Sequence, residues 1–443
     1  MMLVKTADAM NGEIDLPGDK SISHRAAILA SLASGQSEII NYASGADCVS
    51  TLESLKRLGV PVRQEGTTVF LHGVGKRGLH KPLEPIDCGN SGTTIRLLAG
   101  VLAGQQFDSV LTGDGSLRKR PMTRIIEPLK SMGAAIDGRR RTAPLCIFGE
   151  RDLKAVSYDL PVASAQVKSC ILLAGLNAAG TTKIHEPETV SAVSPSRDHT
   201  ERMLEYLGAD IEEYFVATGS GYRHEVAIDG SSELTGKRII VPSDISSASF
   251  FIVAAVCLKN SRVVIRNVGL NPTRTALVSV LQGFGADIEI RNKKTRNHEL
   301  IGDLIVCGDR ALETGQKKAE IERHLIPNII DEIPILSVLG TRLPNGLEIR
   351  NAEELRVKES DRISSIVENL RKMGAAVEEF PDGFRVGRSE LKGADVESSG
   401  DHRIAMAFAI AGLLATGETV IRDSSCADIS FPGFFDILRK VVN

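Results

Sequence analysis

Leu129-Lys130-Ser131-Met132-Gly133-Ala134-Ala135-Ile136 is the phrase on which the fold turns. It reads as the end of an amphipathic helix, a glycine that closes it in the left-handed conformation, and the start of a strand. The phrase returns as Leu55–Val62 (with Val60 in place of alanine), Leu204–Ile211, Leu281–Ile288 and Leu370–Val377. Its glycines, at 59, 133, 208, 285 and 374, lie 74, 75, 77 and 89 residues apart. Self-similarity at a long period marks a repeated supersecondary unit.

A second helix type completes the unit. Asp87-Cys88-Gly89-Asn90-Ser91-Gly92-Thr93-Thr94-Ile95-Arg96-Leu97-Leu98-Ala99-Gly100-Val101-Leu102-Ala103-Gly104 opens with small hydrogen-bonding residues and runs on as an apolar helix. Gly104 is expected to stop that helix in the left-handed conformation. At the front, Asn90 to Thr93 leave backbone N–H groups at the positive end of a helix, where anions bind. Taken alone, the segment reads more plainly as a capped core helix, with Asn90 and Thr93 among the caps. Comparable starts recur near Lys20-Ser21-Ile22-Ser23, Ala163-Ser164-Ala165-Gln166, Ser243-Asp244-Ile245-Ser246, Ile330-Asp331-Glu332 and Gly400-Asp401-His402-Arg403. Each leads into an apolar helical run and then a β-prone strand: Glu38–Tyr42, Ser109–Thr112, Thr181–His185, Arg262–Asn267, Leu347–Asn351 and Thr419–Arg422.

The chain is therefore six units of roughly 70–90 residues, each a buried helix, a strand, an outer helix and further strands. That is longer than the 20–50 residues of most solenoid repeats, so compact α/β groups are expected instead of a rod. The sixth unit stops after its outer helix, and residues 3–16 read as strand with no helix before them. The N-terminus is thus expected to complete the last unit. Three units form one domain at 20–240, and the other three with residues 1–19 form a second at 241–443. The crossings fall at Gly18 and Pro242, which suit hinges and are also ordinary turn residues.

Bulk properties narrow the function. The 443 residues are 42% hydrophobic and 25% charged, with a net charge of -3. This gives no support for nucleic-acid binding, and the 4% aromatic content without tryptophan offers few surfaces for stacking bases. The seven cysteines show no C-x-x-C pattern, so the chain is read as reduced, cytoplasmic and without a metal. No apolar run is long enough to span a bilayer, so no membrane association is expected. There is no G-x-x-x-x-G-K-[ST] loop, G-x-G-x-x-G, H-E-x-x-H or G-x-S-x-G, and no cofactor is implied.

Charges gather at particular places in the unit. Turns between strand and outer helix hold Arg118-Lys119-Arg120-Pro121, Ser196-Arg197-Asp198-His199, Pro272-Thr273-Arg274 and Arg356-Val357-Lys358-Glu359-Ser360-Asp361-Arg362. Pro121 suits the first turn of a helix. A cation at a helix N-terminus opposes the macrodipole, costing about 0.3–1 kcal/mol if unpaired. For any one turn a solvated salt bridge is the plainer reading. With Lys20, Arg25 and Arg403 at buried-helix starts, the set points to a cleft between two domains that holds a small, multiply charged anion. Asp244 reads as a cap. Asp331 and Glu359, with Lys358, match the cation positions and suit proton transfer beside a bound phosphate.

These residues resemble a known family. Lys20-Ser21-Ile22-Ser23-His24-Arg25, Gly89-Asn90-Ser91-Gly92-Thr93, Arg120-Pro121, Ser164-Ala165-Gln166, Arg356 to Arg362 and Asp401-His402-Arg403 are similar, in order, to the motifs of the EPSP synthases. The resemblance implies a two-domain inside-out α/β barrel, each domain three repeated units around buried parallel helices. It implies enolpyruvyl transfer from phosphoenolpyruvate to the 5-hydroxyl of shikimate 3-phosphate, by a monomer with no cofactor. Lys20, Gly92, Arg120, Gln166, Arg362 and Arg403 would hold phosphoenolpyruvate. Lys20, Ser21, Arg25, Ser164, Ala165, Gln166, Arg197, Asp331 and Lys358 would hold shikimate 3-phosphate. Lys20, Asp331, Lys358 and Glu359 would be catalytic, with Asp331 the base for the 5-hydroxyl and Glu359, helped by Lys358, handling the methylene carbon. Gly92 would leave room for the family's inhibitor, glyphosate.

Two departures stand out. Ala165 replaces a serine of part of the family, and Arg197 compensates. Ile429 stands where some members have lysine, and no role is carried to it. The sister UDP-N-acetylglucosamine enolpyruvyl transferase has Lys-Asn where this chain has Lys20-Ser21, and usually a mobile-loop cysteine that is absent around Leu117–Arg120. A non-catalytic anion-binding repeat protein is the other alternative, and it leaves Asp331, Lys358 and Glu359 unexplained as a group.

Overall fold

Five glycines close the repeat. Gly59, Gly133, Gly208, Gly285 and Gly374 have φ of +84, +93, +103, +85 and +82°, the left-handed conformation that a Cβ disfavours. The computed structural model describes residues 1–149, 152–190, 195–308, 312 and 319–442. The chain forms two compact units. One is Gly18–Val241 with Arg296–Glu299; the other is Met1–Pro17, Pro242–Thr295 and Leu300–Asn443.

Among the described residues the first unit carries α1 (Lys20–Leu32), α2 (Ala46–Arg57), α3 (Gly92–Ala103), α4 (Thr123–Ser131), α5 (Ala165–Gly175) and α6 (His199–Leu207). The other carries α7 (Ile245–Cys257), α8 (Ala276–Gly283), the single turn α9 (Ile326–Ile329), α10 (Ile333–Gly340), α11 (Arg362–Lys372), α12 (His402–Leu414) and α13 (Phe434–Val441). Two kinds of helix alternate. Helices α1, α3, α5, α7, α10 and α12 are buried almost all round, as their unbroken apolar sequences require. Those between them bury one stripe; in α4 it is Ile125, Ile126, Pro128 and Leu129.

Among the described residues each unit holds three sheets built on one plan. In the first, Arg238–Ile240 lies parallel to Ser34–Ile40, which pairs antiparallel with Thr68–Val74, and Val62–Glu65 closes the edge. The sheets around Ser109–Thr112 and Thr181–His185 repeat that order, each taking its parallel strand from the preceding repeat. In the other unit the N-terminal segment serves two sheets. Asn11–Ile14 lies parallel to Arg262–Gly269, and Met2–Val4 pairs antiparallel with Thr419–Arg422, Met2 opposite Ile421. Met2–Val4 takes the place that Thr68–Val74 holds in its sheet, covering a strand edge that would otherwise be bare.

Two local expectations are corrected. Gly104 ends α3 at φ -94°, not left-handed. A Cβ there would stand 2.6 Å from Cβ of Asn177, and one on Gly100 would stand 2.2 Å from the Cys170 carbonyl oxygen. These glycines let α3 and the chain of α5 approach closely; they do not turn the backbone. Pro121 precedes α4, which starts at Thr123 after Met122. Residues Leu117–Lys119 form a 3-10 turn, and Arg120 is extended at φ -72°, ψ 138°, as a residue before proline prefers.

Candidate active site

Within the unit Gly18–Val241 the predicted residues gather at three buried-helix starts. Asp19 caps α1, accepting from the Ile22 N–H at 2.9 Å. Lys20, the first residue of α1, is half-buried, its Nζ 3.1 Å from Oδ2 of Asp47 on α2. Ser21 is half-buried, and its carbonyl accepts from Nη1 of Arg25 at 3.0 Å. Arg25 is only 3% exposed. Its Nε donates to the Thr200 hydroxyl at 2.6 Å and its Nη2 to the Ser169 hydroxyl at 2.8 Å. Its guanidinium is lowered to about 10, with burial pulling it down most, Glu201 pushing it up and the positive charge of Arg197 pulling it down. Arg25 and the half-buried Arg197 therefore repel each other, which an anion would relieve.

The start of α3 collects the other group. Its cap is Ser91, accepting from the Thr94 N–H at 3.1 Å. Asn90 and Thr93, expected as caps, hold neighbours instead. Asn90 accepts from Nη2 of Arg120 at 2.5 Å and donates to Asp114 at 2.6 Å. Thr93 accepts from Nε2 of Gln166 at 3.0 Å, and the Gln166 oxygen accepts from Nη1 of Arg96 at 2.6 Å. Gly92 lies among these groups: a Cβ on it would be 2.7 Å from Nη1 of Arg96 and 3.2 Å from Nη1 of Arg120. Ser164 holds the N-cap position of α5 in an extended conformation with no side-chain cap bond, and Ala165 is the first helical residue. Both are half-buried.

Within the other unit the centre is Arg362, the first residue of α11 and 1% exposed. Three carboxylates surround it. Its Nε reaches Oδ2 of Asp401 at 2.8 Å, its Nη2 reaches Oε2 of Glu359 at 2.5 Å, and its Nη1 reaches Oδ1 of Asp331 at 3.4 Å. Burial would lower the Arg362 guanidinium, but Asp401, Glu359 and Asp331 together hold it above its ordinary value. Burial likewise pushes the Asp401 carboxyl up, and Arg362 more than offsets this, leaving it below the usual range. Asp401 also caps α12, accepting from the Arg403 N–H at 2.9 Å.

Arg403 donates from Nη1 to the Asp331 carbonyl at 2.8 Å, with its Nη2 3.8 Å from the Asp331 carboxylate. Lys358 lies 2.8 Å from Glu354, one helical turn back. Asp331, Glu359, Lys358, Arg362 and Arg403 thus form one cluster or its immediate rim. It is an arginine-centred site with two half-buried carboxylates, suited to moving protons beside a bound anion.

The expectation for Asp244 holds, and that for the Arg356 turn does not. Asp244 is a cap, accepting from the Ser246 N–H at 2.8 Å. Arg356 does not await an anion: it donates to Asp361, Glu379 and the carbonyls of Phe380 and Pro381. Ile429 packs against the apolar core. Sequence reasoning passed over Arg96, Asp401 as partner of Arg362, Asp47, Ser169 and Thr200. For Arg96 a signal existed, since an arginine inside an apolar helix needs partners. All seven cysteines are free, and no helix among the described residues is long and apolar enough to cross a membrane.

Comparison with known proteins agrees along the whole chain. The family model described as EPSP synthase (3-phosphoshikimate 1-carboxyvinyltransferase) matches residues 4–438. The chain is 48% identical to the 3-phosphoshikimate 1-carboxyvinyltransferase of Solibacter usitatus over 99% of both chains. It is 47% identical to that of Alkaliphilus metalliredigens over the full length of both. The solved EPSP synthase of Acinetobacter baumannii superposes with a TM-score of 0.85 at 39% identity, covering 99% of this chain and 97% of that one.

Proposed function

The chain belongs to the EPSP synthase family, and on that premise we propose which side chains carry its reaction. It transfers the enolpyruvyl group of phosphoenolpyruvate to the 5-hydroxyl of shikimate 3-phosphate and releases phosphate, a step of the shikimate pathway. The observation that carries the assignment is the Arg362 centre, with Asp331 and Glu359 against one guanidinium and Lys358 in the adjoining turn.

Phosphoenolpyruvate is assigned to Lys20, Gly92, Arg120, Gln166, Arg362 and Arg403. Shikimate 3-phosphate is assigned to Lys20, Ser21, Arg25, Ser164, Ala165, Gln166, Arg197, Asp331 and Lys358. The repulsion between Arg25 and Arg197 supports a phosphate near them. Asp331 takes the proton of the 5-hydroxyl as its oxygen bonds to C2 of phosphoenolpyruvate. Glu359, helped by Lys358, delivers a proton to C3. Phosphate then leaves C2, taking up the proton that Asp331 had accepted, and a C3 proton returns to Glu359, which restores the double bond and leaves both carboxyl groups as they began. Lys20, Arg120, Arg362 and Arg403 hold the developing and leaving negative charge.

The enzyme is placed in the cytoplasm, where its seven free cysteines stay reduced, and acts as a monomer on two small anions. No cofactor, membrane or nucleic acid takes part. Phosphate release from phosphoenolpyruvate in the presence of shikimate 3-phosphate tests the function. Release with UDP-N-acetylglucosamine instead would overturn it. In Gly92→Ala the phosphoenolpyruvate KM and the glyphosate Ki are both expected to rise, and an unchanged Ki would remove Gly92 from the site.

A further inference from the structure

The motif Lys20-Ser21-Ile22-Ser23-His24-Arg25 contains one group the mechanism leaves unused, His24. It is 0% exposed on α1, and its Nδ1 lies 2.7 Å from the hydroxyl of Thr51 on α2. That hydroxyl lies 2.7 Å from the hydroxyl of Thr94 on α3, which donates to Oγ of Ser91 at 2.8 Å. Thr51, Thr94 and Ser91 are likewise 0% exposed. The line ends on the cap of α3, one residue before Gly92.

Counting protons gives the line a direction. Each threonine hydroxyl has one proton to give. Thr94 spends its proton on Ser91, so Thr51 must donate to Thr94. The Thr51 oxygen is then open to a donor, and His24 supplies it as Nδ1–H. The opposite direction would leave an N–H at Nε2, buried and without a partner among the described residues, and buried polar groups are rarely left unsatisfied. Burial first, and the charges of Lys20 and Arg25 next, hold His24 well below its usual value against the pull of Asp19. The ring is therefore neutral, and it adds a donor without adding a third positive charge beside those two cations.

We propose that His24, as its Nδ1–H tautomer, is a positioning residue that fixes Gly92 relative to Lys20 through Thr51, Thr94 and Ser91. It touches no substrate. The proposal rests on the assignment of Lys20 and Gly92 to phosphoenolpyruvate. Lys20 and His24 lie one turn apart on α1, so the strut ties the charge that meets the ligand to the backbone that meets it.

The test is steady-state kinetics on the full chain, varying each substrate in turn. In His24→Leu the KM for phosphoenolpyruvate should rise about tenfold while that for shikimate 3-phosphate stays within about twofold. His24→Asn, whose side-chain amide can donate from near the Nδ1 position, should restore most of the loss. If His24→Leu does not fold, Thr51→Val and Thr94→Val cut the same line and should give the same split. The double variant His24→Leu/Thr94→Val should be no worse than the worse single one. Nitrogen NMR of the wild-type imidazole should show a protonated Nδ1 that does not titrate between about pH 6 and 8. Equal changes in both KM values, no change in either, or an Nε2–H ring would overturn the proposal. A wild-type chain that fails to turn over these substrates would instead overturn the function on which it rests.

Discussion

Arg25 and Arg362 are both buried arginines near the start of a helix, one in each unit, and their surroundings are opposite in kind. Arg25 bonds to two hydroxyls and a backbone carbonyl, and burial pulls it down to about 10. Arg362 bonds to Asp401, Glu359 and Asp331, which hold it up. A guanidinium whose hydrogen bonds go to neutral oxygens keeps more of its charge for a ligand, even with the through-space pull of Glu201. One held by carboxylates shares its charge between them and a ligand, and what it adds is a fixed place for groups that move protons. The first arrangement favours binding and the second favours chemistry.

The largest expected effect breaks the second arrangement. Arg362→Met leaves Asp401 buried without its cation, so about 3–5 kcal/mol of stability should be lost, along with phosphate release. Denaturant unfolding measures the first and a phosphate assay the second. Arg25→Met removes a charge whose hydrogen-bond partners are neutral and should cost only about 1 kcal/mol, while the KM for shikimate 3-phosphate rises about a hundredfold. Equal losses of stability in the two variants would break the contrast.

Next in size is a pair of substitutions in α3. In Gly100→Ala the new methyl meets a backbone oxygen, which cannot swing aside, so about 1–3 kcal/mol should be lost. In Gly92→Ala it meets the ends of Arg96 and Arg120, which can move. Stability should change by under about 0.5 kcal/mol there, with the effect appearing in the KM for phosphoenolpyruvate. Thermal unfolding of the two variants side by side separates spacing from function.

The smallest effect is the dependence on pH. Asp401 has a native value below its unfolded 3.8. A depressed carboxyl contributes stability that is whole above the unfolded value and is lost as the pH falls through the native one. Unfolding free energy should therefore fall on acidification below about pH 4. The fall should be shallower in Asp401→Asn, and equal slopes would show that the Arg362 centre does not bind protons as described.

Local rules carried the sequence reading a long way. The five left-handed glycines, the starts of the buried helices, and the strands Ser109–Thr112, Thr181–His185 and Thr419–Arg422 were legible because each depends on a few neighbouring residues. Chemistry-bearing residues could be named by type, since cations at helix starts are conspicuous. Their partners could not. Arg25 meets Thr200 across 175 residues and Arg362 meets Asp401 across 39, and no local pattern selects such pairs. Gly104 misled because a glycine after an apolar helix serves either a turn or a close approach, and only the neighbouring Asn177 decides which.

By itself the sequence determined the repeat, its two kinds of helix and the glycines that close it, because backbone conformation and hydrophobic period are properties of short stretches. It also determined which residues could carry charge to an anion. Tertiary structure decided which of those charges are set among carboxylates, as in Arg356 and Arg362, and which are held by hydroxyls, as in Arg25. The reason is physical: the fate of a buried charge depends on whatever lies within a few ångströms of it, and folding brings those groups together from distant parts of the chain.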